Sequence, residues 1–525
     1  MSVDRIKWAE KGYKTASFDK QKMLENTGKS PEWIHFGVGN IFRAFICAGA
    51  QKMLDIGALN TGIVAVEGYD YEIADVLNSD YSILVTLKAD GNAEKTIIES
   101  IAQILKADSE NEDFDKLRKI FRSPTVKLAT FTITEKGYNL KGADGEYFKD
   151  VAEDFKTGAA RPKSYIGKLA ALLLERYKNG AYPIALVSMD NCSHNGDRLY
   201  AAVFDFAKHW IDAGLADSEF EAYVKNSVSF PWTMIDKITP RPDPAIEKML
   251  AADGIEKLSP VQTKKNTFIA PFVNAEECEY LVIEDNFPNG KPDFGAAGFI
   301  LTDRETVEKT EKMKVCTCLN PLHTALAIFG CLMGYTLISK EMENPYLRKL
   351  CERIGYDEGL PVCTDPKILS PKEFLSDCIN KRIFNPYMPD TPQRIATDTS
   401  QKLAVRFGET ISEYKKRGRA EKLEYIPLVL GAWLRYLVGV DDDGKPFEQS
   451  PDPRLEDLKK FIDASDFGKV FEAESLKPLL SDKEIFGTDL FEAGLADKVL
   501  NNFNEMNSGI GAVAETLKKH IELNR

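Results

Sequence analysis

Two regimes of hydrophobic patterning divide the chain. From Trp33 to about residue 285, short apolar runs alternate with stretches whose apolar residues recur every three or four positions. The runs Trp33 to Phe36, Gly62 to Val66, SILVTL (82–87), KLATFTIT (127–134) and YPIALVSM (182–189) predict buried strands. Phe42 to Leu54 and residues 165–178 predict amphipathic helices between them. Such alternation predicts a mostly parallel sheet that presents ligands at the carboxyl ends of its strands. TFIAPF (267–272) and EYLVIED (279–285) add a second block of sheet before the turn run Asn286 to Gly290. The proline-punctuated FPWTMIDKITPRPD (230–243) ends the parallel section, and predicts a crossing loop that carries Asp236 towards a cleft. From about residue 301 the period turns helical, over 303–318, 321–338, 372–382, 399–417, 426–438, 455–465 and 490–503.

At 525 residues the chain exceeds what one core supports, so at least two domains are expected. A formal charge of −13 argues against a nucleic-acid partner or an anionic membrane, and leaves room for local pockets that bind small anions. Nine cysteines without a CxxC, the nearest pair (Cys316 and Cys318) inside an apolar run, are the usage of a reducing compartment. Five histidines with no clustered spacing give no metal site. The segment MSVDRIKWAEKGYK has no apolar signal core, and the longest apolar run, Leu322 to Ile338, falls short of the ~20 residues of a membrane span. A cytoplasmic protein is expected, with its oligomeric state open.

Two stretches carry candidate chemistry. Gly37-Val38-Gly39, between the first strand and its helix, lets the backbone approach a pyrophosphate resting on the helix N-terminus. The third glycine of the dinucleotide fingerprint is replaced by Phe42. Glu67 closes the second strand, 28 residues after Gly39, where a carboxylate accepts from the adenosine ribose and repels a 2′-phosphate, favouring NAD over NADP. A solvated strand-end carboxylate is the plainer reading. Arg43 stands in the first helical turn, against the helix dipole, which suggests an anion such as the cofactor phosphates beside it. Gly37, Gly39, Phe42, Arg43 and Glu67 thus form the candidate nucleotide set of a Rossmann-like domain over residues 1–300, with added strands. A predominantly α-helical, substrate-binding domain over 301–525 follows, an α/β fold overall. The second stretch, KVCTCLNPLHTALAIFGCLMGY (314–335), sets Lys314, Asn320 and His323 at the mouth of an apolar helix. Asn320-Pro321 reads as N-cap and first helical residue, or as a kink if the preceding helix runs through. A proton-transfer site and a capped core helix with one satisfied histidine both fit these residues.

HFGVGNIFRAF, TITEKGY, DNCSHNG, FPWTMIDKITP, the Lys314–His323 stretch and DTPQRIATDTSQKL occur in order from about residue 33 to about residue 440. On these motifs the chain resembles the polyol-specific long-chain dehydrogenases and reductases, the mannitol dehydrogenase family. Its wording NPLHTALAIFGCLMGY is most similar to the fructuronate (mannonate) reductase branch. The resemblance implies metal-independent hydride transfer between NAD(P) and a sugar alcohol or sugar acid. It implies Lys314 as general acid/base, Asn191 and Asn320 as an oxyanion hole and His323 as a substrate ligand. Asp236, Arg394 and Lys402 would stand around the substrate, and Glu135 on a proton path to solvent. Arg394, Lys402 and Arg241 are the candidate cations for a substrate carboxylate. A mannitol-type or tagaturonate-type enzyme and a catalytically silent NAD(H) sensor remain as alternatives. The family has four residues between lysine and asparagine and this chain has five, Val315 to Leu319. On a regular helix Lys314 and His323 would then stand about 900°, half a turn, apart. A π-bulge or break between 315 and 321 is therefore expected, failing which Lys312 or another residue must carry the proton.

Overall fold

The computed structural model describes residues 4–77 and 80–523. Two units divide the chain: one holds the residues up to Leu87 together with Gly91–Glu308, the other Lys88–Asp90 with the chain from Lys309 onward.

Fourteen strands lie in the described part of the first unit. In chain order the first nine are β1 (Trp33–Phe36), β2 (Ile63–Glu67), β3 (Ser82–Leu87), β4 (Ala93–Ile98), β5 (Ile101–Lys106), β6 (Leu128–Phe131), β7 (Ile184–Ser188), β8 (Val228–Ser229) and β9 (Thr233–Asp236). The last five are β10 (Val261–Gln262), β11 (Phe268–Ile269), β12 (Phe272–Glu276), β13 (Tyr280–Glu284) and β14 (Ile300–Thr302). Six form one all-parallel sheet in the order β5-β2-β1-β6-β7-β8. Its central strands are buried on both faces, which is why they read as unbroken apolar runs. Alternate residues serve two cores. Ile34, Phe36, Val64, Phe131 and Leu186 meet the helices Glu112–Arg122, Tyr165–Lys178 and Asn195–Asp212 on one side. Trp33, Ile63, Leu128 and Val187 meet the residues of 42–54 and the strands β12 and β13 on the other.

Three expectations change here. SILVTL is a strand, but it joins a separate sheet, β12-β3-β4, rather than the parallel one. Residues 230–243 are not simply a crossing loop: β9 pairs antiparallel with β13, and Asp236 is buried opposite Tyr280. The helix after β1 is interrupted by a π turn at Phe42–Ile46.

The described part of the second unit is helical. Asn320–Leu332, Tyr425–Leu437 and Ala496–Met506 pack together as its apolar centre. π turns at Lys314–Cys318, Arg353–Gly359, Cys378–Ile383 and Ala404–Gly408 interrupt its helices. The run Arg304–Leu332 is long and apolar enough to cross a membrane by length and composition, and most of its apolar window is buried in the protein, as in a core helix.

Candidate functional site

In the first unit the site begins at the carboxyl end of β1. Gly37 has φ +99°, and a Cβ there would lie 2.2 Å from the Thr132 carbonyl oxygen, so only glycine fits. Around Gly39 there is open space instead. Both line a cavity of about 770 Å³, with Glu67, Thr132, Lys168 and Lys265 further round its wall. That volume lies in the range of cofactor sites, about 300–1,000 Å³.

Glu67 is buried rather than solvated. Its Oε1 accepts from the backbone N–H of Tyr69 (2.9 Å) and Asp70 (3.1 Å), and its Oε2 from Val38 (3.3 Å). Burial pushes its carboxyl up, against the pull of those three donors. A carboxylate offers about four acceptor positions, so one remains for a ribose hydroxyl. Two lysines share the cavity that nothing in the local sequence announced. Lys168 donates to the Gly68 carbonyl (3.0 Å) and the Tyr71 hydroxyl (2.7 Å), and burial pushes its amine down to about 8. Lys265 donates to the Tyr69 carbonyl and sits 3.8 Å from the centre of that ring.

Phe42 and Arg43 leave the nucleotide set. Phe42 is fully buried and stacks on His35 with ring centres 4.1 Å apart, filling the core beneath the turn. Arg43 is buried too, its guanidinium donating to the Ala270 carbonyl (2.8 Å), the Asn40 side chain (2.9 Å) and the Ser82 hydroxyl (3.3 Å). The anion expected beside it is replaced by neutral oxygen acceptors of the protein, and burial lowers it to about 9.

At the ends of β6 and β7, Asp190 joins the two motif loops. Its carboxylate accepts from the N–H of Ile133 and Thr134 (both 2.9 Å) and from the Tyr138 hydroxyl (2.5 Å). Thr134 is held there at φ +64°, a conformation that costs a non-glycine residue. Asn191, next in the chain, is exposed. Glu135 is also exposed and pairs with Arg198 at 2.8 Å. The buried amide of Asn195 bridges the Asp190 carbonyl and both backbone groups of Thr233, fixing the loop to β9. Sequence reading had placed Asp190 and Tyr138 in motifs without giving them this work.

In the second unit, Lys314 is 2% exposed and opens the π turn Lys314–Cys318, whose Leu319 N–H reaches back to the Lys314 carbonyl at 3.0 Å. The expected irregularity is therefore present. Absorbing one residue cuts the rotation from Lys314 to His323 to about 800°, so they stand within ~80° around the axis. Asn320 is not the N-cap: Leu319 (φ −121°) holds that position and Asn320 is the first helical residue, with Pro321 second. Freed from capping, its amide makes no hydrogen bond among the described residues. Lys312, the fallback, is ion-paired with Glu409, which holds its amine up.

His323 is pushed down to about 4, by burial first and then by Arg382, Arg406 and Arg394, against the opposing pull of Asp390. It is neutral at pH 7. Arg394 is mostly exposed and bonded to Asp390 at 2.6 Å. Lys402 donates to the Thr397 carbonyl, and burial lowers its amine, Arg406 adding to the effect. Arg241, in the first unit, lies 4.8 Å over the Phe268 ring. Sequence reading missed Arg382 and Arg406. Arg406 was findable, since it follows Lys402 by four positions, one helix face.

The mannitol dehydrogenase Rossmann domain model matches residues 31–295, and the mannitol dehydrogenase C-terminal domain model matches 306–507. The chain is 49% identical to a D-mannonate oxidoreductase of Thermotoga maritima, covering 99% of this chain and 97% of that one. It is 29% identical to a mannitol 2-dehydrogenase of Pyricularia oryzae, covering 92% and 90%. Among solved structures it resembles Pseudomonas fluorescens mannitol 2-dehydrogenase in ternary complex with NAD and D-mannitol, with TM-score 0.69, 25% identity and coverage of 99% and 100%.

Proposed function

The chain belongs to the mannitol dehydrogenase family, and from that membership we propose that it is an NAD-dependent oxidoreductase interconverting fructuronate and mannonate. The observation that carries the reading is the 49% identity over 99% of the chain to a D-mannonate oxidoreductase, against 29% to a mannitol 2-dehydrogenase. The nucleotide would lie against Gly37, Gly39 and Glu67, a fit supported by the backbone clearance at Gly39 and the remaining acceptor position on Glu67. When bound, the nicotinamide gives or takes the hydride.

The rest of the chemistry belongs to side chains. Reduction of a ketone leaves negative charge on the former carbonyl oxygen and requires a proton there. In this reading the amides of Asn191 and Asn320 donate to that oxygen as charge builds, and Lys314 delivers the proton, taking it back during oxidation. An ammonium and two carboxamides meet both demands without a metal. Neutral His323 hydrogen-bonds substrate hydroxyls, with Asp236, Arg394 and Lys402 as further ligands. Glu135, exposed and tied to Arg198, would exchange protons with bulk water.

Following the near-ultraviolet absorbance of NADH with fructuronate, fructose and tagaturonate tests the reading. The expected result is a specificity constant for fructuronate at least ~10²-fold above that for fructose. Preference for fructose or tagaturonate would assign the chain to another branch of the family. Tight NADH binding without turnover of any of the three would make it a nucleotide sensor.

A further inference from the structure

Three of the second unit's π turns each carry a charged residue that belongs to the candidate site or acts on it: Lys314 on Lys314–Cys318, Arg382 on Cys378–Ile383 and Arg406 on Ala404–Gly408. π turns are uncommon and concentrate at functional sites, because the extra residue re-aims a side chain at a cost to the helix. The turn bearing Arg406 packs against both the turn of Lys314 and the helix of His323. There the Arg406 guanidinium donates one N–H, from Nη1, to the hydroxyl of Thr324, the residue after His323. Thr324 in turn donates to the Asn320 carbonyl at 2.9 Å. Arg406 is thus fastened, through one hydroxyl, to the first turn of the helix that presents Asn320 and His323.

No carboxylate pairs with Arg406 among the described residues. Arg394 has Asp390, and Lys402 is spent on a backbone carbonyl beside its own helix. The other nitrogens of Arg406 are not sealed in the core, so the fork has donors to offer. Burial alone depresses it to about 10, with no acid to offset that. A partly desolvated guanidinium without a counterion is costly unless an anion arrives to meet it.

Resting on the reading above, we propose that Arg406 receives the carboxylate of the sugar-acid substrate, and that this contact separates hexuronates from neutral ketohexoses. The two substrate classes undergo the same hydride and proton transfers and differ in one terminal group, a carboxylate in place of a hydroxymethyl. A planar fork already held at one corner suits the two oxygens of a carboxylate, which a lysine cannot grip in the same way.

The test compares the full-length wild type, Arg406→Gln and Arg406→Lys with NADH, on fructuronate and on fructose. In Arg406→Gln the KM for fructuronate should rise at least ~30-fold while kcat falls less than ~5-fold, and the fructuronate-to-fructose ratio of specificity constants should collapse. Arg406→Lys, which keeps the charge, should fall between. Thermal midpoint and NADH affinity, measured alongside, separate a substrate contact from a loss of fold. A folded Arg406→Gln with an unchanged KM for fructuronate overturns the assignment, as does an Arg406→Lys identical to wild type where the glutamine variant does not fold. A wild type that reduces no hexuronate defeats the preceding reading instead, and Arg406 with it.

Discussion

A guanidinium in the first turn of a helix works against the dipole, and at position 43 three neutral oxygens inside the protein compensate it. Arg43→Met should therefore cost stability, about 2–4 kcal/mol from acceptors left unsatisfied, and leave the KM for NADH unchanged. Chemical denaturation and an NADH titration read the two effects, and a raised KM at full stability would restore the phosphate role. His323 makes a prediction with a sign. Its imidazole is held at about 4 in the folded chain and near 6.5 when unfolded, so between those values the unfolded chain binds more protons. Its contribution is fully present above about pH 6.5 and is lost as pH falls through about 4. From about pH 7 to about pH 4.5 the wild type should lose up to ~3 kcal/mol relative to His323→Gln, measured by urea midpoints; a constant difference would refute the desolvated site with three arginines acting on it. Positions fixed by local structure were legible. Gly37 follows from the turn it must make, and Glu67 from the strand it ends. Arg43 and Phe42 were misread because burial decides their roles, and one strand-turn-helix pattern serves both a phosphate neighbour and a core brace.

The element that sets the candidate chemistry is the π turn Lys314–Cys318. It spends one residue more than an α turn, so deleting a residue there should convert it to regular helix while Lys314 and His323 keep nearly the same angular relation. Deletion of Val315 should retain turnover within ~10-fold, whereas inserting one alanine after Cys316 should cut it at least ~10²-fold by rotating Lys314 another ~100°. Steady-state rates on both variants check this, and equal damage from deletion and insertion would contradict it. The family's shorter spacing between lysine and asparagine, set against helical geometry, made this irregularity visible beforehand. Other elements stayed hidden for physical reasons. β4 and β5 are only partly buried and carry charged or polar residues, so they lack the continuous apolar run that marked β1 and β7. β9 was obscured by the prolines around it, although none falls inside the strand.

At the scale of the whole chain, continuous apolar runs and 3.6-residue periodicity sorted the strands from the helices and so the α/β character, because the first marks burial on both faces and the second burial on one. Composition settled less. A net charge of −13 says nothing about the cations that gather around His323, since a global excess of acid and a local excess of base coexist at separate sites. The proposed chemistry depends on Lys314 as the proton donor. The decisive measurement is the rate of NADH oxidation with saturating fructuronate in Lys314→Ala, together with NADH affinity by fluorescence titration. Turnover should fall at least ~10²-fold with affinity for NADH almost unchanged. Turnover equal to that of the wild type would contradict it.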